Sequence, residues 1–62
     1  MNRKLKAKIV EHFGTQWRFA EIMGENDSVV SLVVSGRRNI SDEKKESWSK
    51  ALRSDKTELF PG

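Results

Sequence analysis

Residues 15–36 read TQWRFAEIMGENDSVVSLVVSG, and the way this stretch divides decides the fold. Phe19, Ala20 and Met23 recur at helical spacing between Thr15 and Gly24, which makes the first half a short helix with one apolar stripe. Thr15 can cap that helix by accepting from a free first-turn amide, and Gly24 can end it. The second half is less simple. Val29–Val34, VVSLVV, is an almost unbroken β-branched run that by propensity alone suits a buried strand. A strand needs a partner, however, and no other stretch alternates convincingly, while an isolated strand pair is marginal in water. Asn26 is a good cap for a helix running through Ser35, Asp27 sits where the helix dipole favours an acid, and Gly36 supplies the stop. The helix is therefore preferred. Its alternative is an intertwined dimer that pairs two copies of Val29–Val34 as a β-ribbon.

Working outward, Leu5, Ile9 and Phe13 recur every four residues with Arg3, Lys4, Lys6 and Lys8 among them, so residues 3–13 form an amphipathic helix that Gly14 ends. Ser41 followed by Asp42 and Glu43 starts another helix, whose inward face is Trp48, Ala51 and Leu52. A last turn through Leu59 and Phe60 stops at Pro61. Asp42, Glu43 and Glu46 alternate with Lys44, Lys45 and Lys50, the pattern of a solvated face with local ion pairs. The expected architecture is all-α, four or five helices in one domain over residues 1–62. Phe19, Ala20, Met23, Val30 and Val33 belong to its core. Ala20 lets the two central helices approach, and Val30 fills the angle between them.

The chain has 62 residues and no cysteine, so neither disulfides nor a thiolate metal site can supplement its core. No secretory leader is recognisable, because Glu11 and His12 break the apolar stretch behind the basic start. No run approaches the roughly 20 apolar residues of a membrane span, and a cytoplasmic location is expected. One histidine without cysteines makes neither a zinc site nor a charge relay, and no nucleophile–base pair stands out. The chain is not expected to be an enzyme or to carry a cofactor. Its net charge of +3 is uneven: residues 1–24 carry +3, residues 25–36 carry −2 and residues 37–62 carry +2. This balance suits a polyanionic partner without requiring one.

Thr15 to Arg38, TQWRFAEIMGENDSVVSLVVSGRR, resembles the Cro and lambda-repressor-like helix-turn-helix family. The positions that carry the resemblance are Gln16, Phe19, Ala20, Gly24, Val30, Ser31, Gly36 and Arg37. Ile40, Trp48, Leu52, Leu59 and Phe60 match the two helices that follow the motif in that family, so the likeness extends over nearly the whole chain. It implies a compact domain of four or five helices that binds double-stranded DNA as a small transcription regulator, such as a phage or prophage repressor. A dimer is implied too, because one recognition helix reads few base pairs. No dedicated dimerisation segment is visible, and pairing on DNA alone is the expectation.

By position, the resemblance makes Asp27, Ser28 and Leu32 base-reading residues, with Val29 a further contact for a thymine methyl. Gln16 matches a phosphate contact at the start of the second helix, with Thr15 and Trp17 beside it. Arg37, Arg38 and Asn39 would follow the DNA strand as the chain leaves the groove. Two departures stand out. Glu25 occupies a turn position where the family usually has an apolar residue, which implies a wetter or differently packed turn. The third helix also offers no Arg, Lys, Asn or Gln to the groove, so bidentate purine contacts are lacking. Leu32 and Val34 suit an apolar protein-binding face nearly as well. A protein-interaction module that retains the fold is therefore the alternative function.

Overall fold

The computed structural model describes residues 1–61, which form α1 (Arg3–Phe13), α2 (Gln16–Met23), α3 (Asp27–Ser35), α4 (Asp42–Ala51) and α5 (Lys56–Leu59). No strand occurs among the described residues. The β-branched run Val29–Val34 is helical, and the magnitudes show that its propensity cost is tolerable. A valine loses at most about 0.7 kcal/mol of helix propensity relative to alanine, whereas full burial of its side chain contributes about 1.5–3 kcal/mol. Val30, Val33 and Val34 are all buried on one side of α3, which packs against both α1 and α2. Val34 was a candidate for an exposed apolar face beside Leu32. It is instead core, because the i, i+3, i+4 spacing from Val30 carries it inward.

The core is closed by rings. Phe19 of α2 meets Phe13 edge-on at 5.0 Å and Trp48 of α4 at 5.1 Å, and Trp48 reaches Phe60 at 6.3 Å. Leu5, Ile9, Leu52 and Leu59 complete it with no exposed surface. Met23 and Ala51, both expected to point inward, are half-buried at its margin. The helix starts follow the capping residues. Thr15 accepts from the Arg18 amide at 3.1 Å and Ser41 from the Lys44 amide at 3.3 Å. Asn2 adds a cap that also acts at long range: its side chain accepts from the Leu5 amide and donates to the Leu59 carbonyl, while its own amide donates to Val34 at 2.7 Å. One residue thus ties the start of α1 to the ends of α3 and α5.

Gly24 takes the left-handed conformation, φ 70° and ψ 27°, and the Glu25 amide returns to the Ala20 carbonyl at 2.8 Å. That closure ends α2 and turns the chain toward α3. A side chain at this position would meet nothing within 4 Å, so its cost is purely conformational. Gly24→Ala is expected to destabilise the fold by about 1–2 kcal/mol, and Gly24→Asn by less, because asparagine tolerates this region. Urea denaturation checks the order, and equal midpoints for wild type and the alanine variant would contradict it.

Asp55 caps α5 by accepting from the Thr57 amide at 3.1 Å and the Thr57 hydroxyl at 3.0 Å, and these bonds, the amide's first, hold its pKa below the ordinary value of 3.8. A carboxylate with a depressed folded pKa contributes stability above its unfolded pKa and loses it as pH falls through the folded one. Wild-type stability should therefore fall more steeply than that of Asp55→Ala as pH is lowered through and below 3.8. Denaturation midpoints across an acid pH series test this, and parallel curves for the two proteins would count against it.

Candidate functional site

The sequence-derived candidates lie on α2, on α3 and on the loop after Gly36. Ala20 and Val30, one from each of the two packed helices, are buried at 2% and 0% exposure, as their proposed roles in close approach require. The turn between α2 and α3 runs from Gly24 to Asn26. Glu25, the charged residue in that turn, is mostly buried, and its carboxylate meets the Lys44 ammonium at 2.8 Å. An ion pair thus ties the turn to α4. The expectation of local ion pairs along α4 is corrected at the same point. Lys44 reaches Glu25 and Glu46 reaches Lys56 at 3.3 Å, both partners lying outside α4.

On α3, Asp27, Ser28 and Leu32 are exposed. Ser31 is exposed with them, one helical turn beyond Asp27. Its i, i+4 spacing from Asp27 was a usable signal, but the motif drew attention to Ser31 as the partner of Val30 instead. Val29 is half-buried and packs against the core, so only part of its side chain is open to a ligand. Asn26 occupies the cap position of α3 without a side-chain hydrogen bond to the helix, unlike the caps of the other four helices. The cap is one of backbone position, with the Val29 and Val30 amides donating to the Asn26 carbonyl at 3.0 and 3.2 Å.

At the start of α2, Thr15 is exposed and occupied as the cap, Gln16 is half-buried, and Trp17 is 62% exposed. Trp17 and Asp27 come together across the two helices, lining one shallow cleft with Glu21, Glu25 and Asn26. Three carboxylates and no cation line that cleft, Glu25 being already paired with Lys44, and the candidate cations lie farther along the chain. Those groups follow Gly36, whose left-handed φ of 82° closes α3 and whose neighbour Arg37 returns an amide to the Leu32 carbonyl at 2.9 Å. Arg37, Arg38 and Asn39 are all exposed, but they divide. Arg38 and Asn39 line a second cleft with the start of α1, whereas Arg37 is not part of its wall.

Among the described residues no group of three or more His, Cys, Asp or Glu side chains is placed to hold a metal ion, and no helix is long and apolar enough to cross a membrane. His12 stands 3.2 Å from Glu11 on the exposed side of α1. Comparison with family models, curated proteins and solved structures finds no match to the chain.

Proposed function

We propose that the chain is a lambda-repressor-like helix-turn-helix domain that binds double-stranded DNA as a small, non-enzymatic transcription regulator, with α3 as the recognition helix. The observation that carries this reading is the α2–α3 pair. A tight left-handed turn at Gly24, buried small and branched residues at Ala20 and Val30, and a solvent-facing row of Asp27, Ser28, Ser31 and Leu32 together leave one helix face free to enter a groove. Asp27 accepts from cytosine N4, Ser28 donates or accepts, and Leu32, with the open part of Val29, covers a thymine methyl. Gln16, Thr15 and Trp17 face the sugar-phosphate backbone from the start of α2, and Arg37, Arg38 and Asn39 bind it beyond α3. Two copies come together on the DNA to place two recognition helices about 34 Å apart.

An NMR titration of the labelled chain with a mixed-sequence duplex tests the proposal. Shifts at Gln16, Asp27, Ser28, Leu32 and Arg37 that fade with salt are the expected result. A flat titration at low salt, where even non-specific binding is visible, would overturn it. One observation favours a second reading: the cleft of Trp17 and Asp27 is acidic and carries an exposed indole, features better suited to a cationic protein surface than to phosphate. In that reading the same two helices form a protein-interaction module, and the flat titration is its signature.

A further inference from the structure

A cleft of about 550 Å³ lies between the start of α1, the α3–α4 loop and the C-terminal segment. Among the described residues its rim carries Arg3, Lys4, Arg38 and Lys45 against a single carboxylate, Glu58. Glu58 stands 3.8 Å from Lys4 and so offsets only that corner. The floor is apolar, made by Val33 of α3, Ile40 of the loop, Phe60 and Pro61. Ile40 and Phe60 are only half-buried, and the Lys45 ammonium stands 5.9 Å over the Phe60 ring, so cation and aromatic surface are presented side by side.

We propose that this cleft docks an acidic segment of a partner protein, with one large apolar side chain on the floor and flanking carboxylates on the rim. Charge complementarity selects this occupant. A phosphodiester would satisfy the rim and leave the apolar floor uncovered. A neutral apolar group would cover the floor and leave the cations to be desolvated without partners, which is unfavourable. A segment carrying both kinds of group satisfies both surfaces. The volume falls within the range of about 300–1,000 Å³ typical of sites that bury a compact ligand, which is room for a few side chains and not for a folded domain. The cleft shares Arg38 and Asn39 with the proposed phosphate contacts but none of the exposed row on α3, so its occupancy is tested without DNA.

The test is a titration of the labelled full chain with the blocked pentapeptide Asp-Glu-Phe-Glu-Asp, in the absence of DNA. Saturable shifts are expected at Arg38, Ile40, Lys45 and Phe60. Replacing the peptide's central phenylalanine by serine should weaken binding about tenfold or more, because the floor is then left uncovered. Arg38→Ala, at an exposed position that does not endanger folding, should weaken it about three- to fivefold, as should Lys45→Ala. Equal binding of the serine peptide would reduce the site to unspecific charge attraction and overturn the proposal. So would the absence of saturable shifts. Shifts at the same residues that depend on protein concentration alone would identify a second copy as the occupant. In a separate titration with a duplex, shifts at Ile40, Lys45 and Phe60 that precede those on α2 and α3 would identify nucleic acid as the occupant and overturn the proposal.

Discussion

Phe19→Ala is expected to remove about 3–5 kcal/mol of folding stability, the usual cost of deleting a buried phenylalanine. Phe19 has no exposed surface and joins three parts of the chain, with Phe13 at 5.0 Å and Trp48 at 5.1 Å meeting its ring at their edges. The consequence is severe because the domain is small. A chain of this length has a total stability of about 3–9 kcal/mol at roughly 0.05–0.15 kcal/mol per residue. The variant should therefore be largely unfolded or sit at the edge of unfolding at room temperature, with a Tm lower by about 20–40 °C. Far-ultraviolet circular dichroism on heating measures this. Phe19→Leu, which keeps most of the volume, should retain a cooperative transition. A Tm for Phe19→Ala within a few degrees of wild type would mean that the three rings do not organise the core.

The helix boundaries were legible in the sequence because their signals are local. Thr15 and Ser41 cap helices that begin at the next residue, and Gly14, Gly24 and Gly36 end the three helices before them. The helical state of Val29–Val34 was legible by a different route, from the lack of a strand partner, and burial of Val30, Val33 and Val34 outweighs its propensity. What could not be read locally depends on contacts far apart in the chain. Asn2 reaches Leu59, and Glu25 reaches Lys44, and neither pair leaves a periodic trace in the sequence. The candidate site divides the same way. The exposed row on α3 follows from helical spacing alone, whereas the separation of Arg37 from Arg38 appears only once α1 and the C-terminal segment are packed beside the loop.

That separation sharpens the expected result for Arg37→Ala. Arg37 follows Gly36 directly, has its backbone held by an amide hydrogen bond donated to the Leu32 carbonyl at 2.9 Å, and does not line the cleft that takes Arg38. On the proposed DNA face it is the cation best placed for a phosphate. Loss of one charge-assisted hydrogen bond, at about 1.5–3 kcal/mol, weakens binding about tenfold or more at low salt. Because the contact is to the backbone, the loss should be nearly the same for every duplex tested, and the slope of log affinity against log salt should become shallower by about one. Ser28→Ala should behave in the opposite way. Ser28 is exposed in the first turn of α3 and carries no net charge, so its removal should change the ranking of duplex sequences and leave the salt slope unaltered. Fluorescence anisotropy with a small duplex library at several salt concentrations separates the two signatures. If both variants kept the wild-type slope and ranking, Ser28 and Arg37 would have no part in binding DNA.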